Sequence, residues 1–97
     1  MYPISFEWDE AKNRSNQRSH GVSFEEAQSV FLDENAVQFY DEVHSDGEDR
    51  YIMVGLSSHL RVLLVVHTFR KEDGVIRLIS ARKPTAKERA VYLERRQ

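Results

Sequence analysis

The sequence predicts an α+β fold: an antiparallel β-sheet of four to five strands with two N-terminal helices and a C-terminal helix, in the order β-α-α-β-β-β-β-α. Three observations predict it. Apolar residues alternate or run together in short stretches near the N-terminus and again from residue 36 onward. Two Ser/Thr-x-x-Glu pairs, Ser23/Glu26 and Thr85/Glu88, mark helix starts before and after the later stretches. Short turn-forming links separate those stretches, which suits antiparallel neighbours.

The elements follow in chain order. "ISFEWD" alternates, with Ile4, Phe6 and Trp8 on one side, and reads as a short strand. Asp9 then caps a helix through "EAKNRSNQRSH", which Gly21 ends. That helix is polar nearly all round, the weakest pattern in the chain. In "SFEEAQSVFLD", Phe24, Ala27, Val30 and Phe31 make an apolar stripe at helical spacing, better suited to a core than to a partner groove. "AVQFYDEV" alternates as a strand near an edge. "HSDGEDR" is turn chemistry around Asp46-Gly47. "RYIMVGLSS" and "RVLLVVHTFR" are strands joined across Ser58-His59, and "KEDG" turns into "VIRLISARK". Pro84 ends that strand and "AKERAVYLERRQ" is the last helix. The runs within residues 51–69 are continuously apolar, so both faces of the central strands are expected to be covered.

Ninety-seven residues make one domain, 1–97. At 40% hydrophobic and 31% charged, the chain is globular rather than disordered. No stretch approaches the roughly 20 apolar residues of a membrane span. "MYPISFEWDEAKNR" has no basic-then-apolar signal pattern, so a cytoplasmic location is expected. The chain contains no cysteine, which excludes disulfides, thiolate catalysis and cysteine zinc sites. The net charge of −2 conceals an asymmetry: residues 1–58 hold 4 Lys/Arg and 12 Asp/Glu, residues 59–97 hold 10 and 4. A basic face for a polyanion is one reading; solvated helix and sheet faces are the other.

"VVHTFR" poses the chemical question. His67 follows Leu63, Leu64, Val65 and Val66 in the most apolar run of the chain. It is either a hydrogen-bonded core histidine or an acid/base on a rigid strand. Pairing parity gives an expectation. A two-residue turn at Asp73-Gly74 places His67 opposite Ser80 with Arg82 diagonal, and a four-residue Lys71–Gly74 loop keeps that parity. An even link at Ser58-His59 puts Arg50 opposite His67. Arg50, His67, Ser80 and Arg82 then share one face, and Arg70 and Arg77 the other; a three-residue turn breaks the inference. Arginines flanking a histidine suit metal-free cleavage of an RNA phosphodiester: a base takes the 2′-OH proton and cations stabilise the phosphorane. Glu48, close to Arg50, is a second base candidate. His20, His44 and His59 are scattered, with no metal-ligand pair, and "HSDGED" lacks the twelve-residue calcium pattern, so no metal or cofactor is expected. No glycine-rich phosphate loop or GxSxG occurs.

Four stretches, "FEWDEAKNRSNQRSHGVSFEEAQSVF", "HSDGEDRYIMVGLSS", "LLVVHTFR" and "IRLISARKPTAKERAVY", together resemble the BrnT family of bacterial type II toxin–antitoxin toxins. The resemblance implies a ribonuclease toxin of RelE-like fold that cuts RNA without a metal and inhibits translation. It implies a ribbon-helix-helix antitoxin partner, with operator DNA bound only through that antitoxin. The family's motifs fall on Glu48, Arg50, Arg61, His67, Arg77, Arg82 and Lys83. Relatives commonly have a lysine just before "HG", where this chain has Ser19. The expected roles are His67 as general acid or base, Glu48 as second proton-transfer group, and Arg50 and Arg82 at the reacting phosphate. Arg61, Arg77, Lys83 and Arg70 are expected to contact RNA phosphates. Two rivals are a toxin-like binding module acting only in a repressor complex, and a direct DNA-binding protein. The acidic first half and the lack of a helix-turn-helix pattern argue against the second.

Overall fold

The computed structural model describes residues 4–70 and 74–96. The elements are β1 (Ser5–Glu7), α1 (Glu10–His20), α2 (Phe24–Gln28), a 3-10 turn (Ser29–Leu32), β2 (Val37–Tyr40), β3 (Tyr51–Leu56), β4 (Val62–Arg70), β5 (Val75–Arg82) and α3 (Ala86–Arg96). They build one five-stranded sheet, ordered β1-β5-β4-β3-β2. β2 to β5 form an antiparallel meander, with residues 41–50 looping between β2 and β3 and shorter links after them. The sheet is nevertheless mixed, a correction to the all-antiparallel expectation. The chain passes from β1 through two helices and three strands before β5, and β1 pairs parallel to β5, Phe6 beside Ile76.

Local chemistry sets the helix ends. Asp9 accepts from the Ala11 and Lys12 N–H groups at 2.8 and 3.4 Å, and Gly21 closes α1 at φ 68°. Ser23 caps α2 by accepting from the Glu26 N–H at 3.0 Å. Glu26 does not complete the expected reciprocal cap: its carboxylate turns instead to Arg61 and Ser57. Thr85 and Glu88 do form both halves of theirs, at 3.2 and 2.7 Å.

Each sheet face carries a core. Phe24, Ala27 and Val30 pack with Leu63, Val65, Leu78 and Ala81 on the α1/α2 face. Tyr92 of α3 packs with Val54 and Leu64 on the other. The apolar stripe of residues 24–31 is thus core. α1, by contrast, docks through amides: its buried residues are Asn13 and Asn16. Asn16 donates to the Ala81 and Val22 carbonyls at 2.8 Å each, and accepts from the Ala81 N–H at 3.1 Å. One side chain therefore stands in for a strand along the edge of β5 that β1 leaves uncovered. Gly55 allows the 3-10 turn to approach β3; a Cβ there would lie 2.9 Å from Ala36 Cβ and Val30 Cγ1.

Candidate functional site

Link lengths decide which side chains meet. The Ser57 N–H donates to the Arg61 carbonyl at 2.9 Å, leaving a three-residue link with Leu60 at φ 60°. The odd link pairs His67 with Tyr51, not Arg50. On the other side, Arg70 pairs with Val75 across a four-residue loop, and His67 pairs with Leu78. Asp73 of the expected Asp-Gly turn lies outside the described residues. A β-bulge between Val66 and His67 then shifts the register, so Ser80 pairs with Val66 and Arg82 with Leu64.

The expected common face is therefore corrected. His67 lies on the α1/α2 face, 2% exposed, its ring edge-on to Phe31 with centroids 4.8 Å apart. Its Nδ1 is 3.2 Å from the Val65 carbonyl and its Nε2 3.3 Å from Gln38 Oε1. Burial holds its pKa below the ordinary imidazole value. Arg50, Ser80 and Arg82 lie on the opposite face, where they line one cleft of about 380 Å³. Its floor is Ile52, Leu64 and Val66, and its rim adds Asp41, Val43 and His44.

The cleft residues are held from behind. Glu88 grips the Arg82 guanidinium with two hydrogen bonds, 2.9 and 3.1 Å, and Arg82 in turn holds that carboxyl down at about 2. Arg50 Nε is buried and has no hydrogen-bond partner among the described residues. Asp41 and Arg50 close the neck of the 41–50 loop, the Asp41 N–H donating to the Arg50 carbonyl at 2.9 Å. His44 Nδ1 sits 3.0 Å from Asp41 Oδ2. Metal-ligand spacing does not reveal His44 in the sequence. The local signal was Asp41-x-x-His44 in a turn, which sets a carboxylate beside an imidazole.

The remaining candidates separate. Arg70 and Arg77, expected on the other face, alternate onto the face of Arg50 and Arg82, since Arg77 pairs with Thr68, and they share Glu7, at 2.6 and 4.0 Å, at the β1 end of the sheet. Arg61 is tied to Glu26 by two hydrogen bonds and to the Gly21 carbonyl by a third. The bond to Arg61 lowers the Glu26 pKa and the bond to Glu26 raises that of Arg61. Arg61 and Lys83 line a second cleft with Arg89. Glu48 is exposed on the 41–50 loop and makes no hydrogen bond or ion pair among the described residues. A third cleft, holding Ser19, Lys12 and His20, reaches Ser80 from the α1 side. Among the described residues, no cluster of three His, Cys, Asp or Glu side chains is placed to hold a metal ion. No helix among them is long and apolar enough to cross a membrane.

The family profile described as "Ribonuclease toxin, BrnT, of type II toxin-antitoxin system" matches residues 8–88. The chain belongs to the BrnT family. It is accordingly a ribonuclease toxin of a type II toxin–antitoxin system, and an antitoxin partner follows from that membership. No curated protein sequence matches it. Among solved structures, the 1.1 Å crystal structure of the Brucella abortus ribonuclease toxin BrnT superposes with a TM-score of 0.66. The match has 20% sequence identity and covers 86% of this chain and 99% of the Brucella chain. At that identity the likeness speaks for the BrnT fold alone. The matched span of the BrnT profile includes both cleft arginines and His44.

Proposed function

We propose that residues 1–97 act as one RelE-like endoribonuclease domain that cleaves RNA in the Arg50–Arg82 cleft and so inhibits translation in the cytoplasm. The observation that carries this reading is the convergence of Arg50 and Arg82 on one cleft beside Ser80. Two guanidiniums on a rigid sheet can grip a phosphate and take up the charge that develops as the phosphorane forms. Arg50 Nε adds a buried donor without an acceptor, which a phosphate oxygen satisfies.

The cleavage is metal-free. The ribose 2′-oxygen attacks phosphorus, the P–O5′ bond breaks, and 2′,3′-cyclic phosphate and 5′-hydroxyl ends result. Arg61, Lys83, Arg70 and Arg77 steer the RNA backbone from flanking positions, with their charge partly answered by Glu26 and Glu7. Glu48, exposed on the 41–50 loop and outside the cleft lining, takes no part in the chemistry, and His67 packs the sheet rather than moving protons. A ribbon-helix-helix antitoxin neutralises the toxin, and operator DNA is bound only through it.

The test is cleavage of a defined RNA by the chain freed from antitoxin, at low salt with EDTA. Arg50→Ala and Arg82→Ala are each expected to slow cleavage about 10²–10³-fold while the chain stays folded. His67→Gln is expected to cut normally once its stability is allowed for. Wild-type rates in both arginine variants would move the site elsewhere. A wild type that neither cuts RNA nor arrests growth when expressed would leave a binding module acting within a repressor complex.

A further inference from the structure

The Arg50–Arg82 cleft holds cations but needs a group that takes a proton. We infer that His44, oriented by Asp41, is the general base of this cleft; the inference rests on the ribonuclease reading above. Asp41 directly follows β2 and Arg50 directly precedes β3, so the loop between them is closed at its neck. Ser45 braces the neck: its hydroxyl donates to the Asp41 carbonyl and accepts from the Arg50 N–H at 3.0 Å. The Asp41 carboxylate is turned inward, 12% exposed, while the His44 side chain is 66% exposed. Asp41 Oδ2 lies 3.0 Å from His44 Nδ1, and Asp41 Oδ1 accepts from the His44 N–H at 3.3 Å. His44 Nε2 makes no hydrogen bond among the described residues.

A carboxylate on Nδ1 fixes the tautomer that carries its hydrogen there and leaves the Nε2 lone pair for substrate. The charged groups on the cleft are Asp41, Arg50 and Arg82, with Glu88 behind Arg82. Asp41 stabilises the imidazolium that forms; the arginines stabilise the phosphorane. In the step, Nε2 takes the 2′-OH proton as the 2′-oxygen bonds to phosphorus. The P–O5′ bond breaks and the departing 5′-oxygen takes a proton from water. The proton on His44 then returns to solvent. The competing explanation is that Asp41 only caps the turn and His44 is a passenger.

The deciding experiment is single-turnover cleavage of a short RNA across pH 5–9, in EDTA, with binding of the same RNA carrying 2′-O-methyl groups measured alongside. His44→Ala is expected to slow cleavage about 10²–10⁴-fold, with binding held within about twofold. The acid limb of the wild-type pH profile disappears in this variant, and added imidazole restores part of the rate. Asp41→Asn slows cleavage less and keeps the limb. A turn-capping role alone would leave rate and profile unchanged. Persistent cleavage with an intact acid limb in His44→Ala overturns the dyad and leaves the ribonuclease reading standing. A wild type that cuts neither free nor ribosome-bound RNA overturns that reading, and the dyad with it.

Discussion

Asn16→Ala is expected to destabilise this protein more than most substitutions of a polar helix residue. The side chain makes three hydrogen bonds, two to Ala81 and one to Val22, and is only 7% exposed. Each such bond contributes about 0.5–1.5 kcal/mol net. Removing the amide also leaves the Ala81 N–H and C=O buried without a partner, at about 1–3 kcal/mol for an unsatisfied group. Water entering the vacated space recovers part of that, so the expected loss is about 3 kcal/mol. For a chain of this size, a loss of this order lowers Tm by about 12–24 °C. Urea denaturation with and without the substitution measures it, and Asn16→Asp, which sets a buried carboxylate oxygen against the Ala81 and Val22 carbonyls, is expected to cost at least as much at neutral pH. Because Ala81 lies between Ser80 and Arg82, RNA cleavage at a temperature where the variant is folded should fall as well. A loss below about 1 kcal/mol would refute the idea that this amide closes the β5 edge.

Three further outcomes are expected. Gly55→Ala drives a methyl into Ala36 and Val30 at 2.9 Å and should cost about 1–3 kcal/mol in a urea melt. Leu60→Gly relieves a left-handed leucine at φ 60° that is 81% exposed, and should raise stability by about 0.5–1 kcal/mol by the same measurement. Stability should fall with acid in two steps that thermal melts from pH 8 to 2 resolve. His67 has a lowered folded pKa, so the unfolded chain binds more protons and stability declines below about 6.5; His67→Gln flattens this step. Glu88, held at about 2 by Arg82, is stabilising above its unfolded value of 4.5 and loses that contribution as pH falls toward 2. Glu88→Gln removes its share of this second step, about 1 kcal/mol after solvent screening of a partly exposed pair, and leaves the share of Glu26, whose carboxyl Arg61 also holds low.

The sequence by itself determined the local grammar of this protein. Asp9, Ser23, Thr85 and Gly21 cap helices through bonds that span no more than four residues, so a reader of the chain can place them. Alternation and continuous apolar runs placed the strands of the meander and told that both faces of β4 are covered. The BrnT resemblance was likewise visible in residues alone. Tertiary structure decided what those elements present to each other. α1 looked unanchored because its docking groups are amides reaching a strand edge 65 residues away. β1 pairs parallel to β5 because the intervening helices carry the chain across the sheet. The grouping of His67 with Arg50 and Arg82 turned on a single residue of link length and a single bulge. Strand side chains alternate with period two, so one inserted residue moves a whole set to the other face. A leucine in the left-handed region gives no local sign of the three-residue link that it closes, since non-glycine residues rarely adopt it. That parity, fixed only in the folded sheet, sent His67 into the core, while the closed neck of the 41–50 loop holds His44 at the cleft.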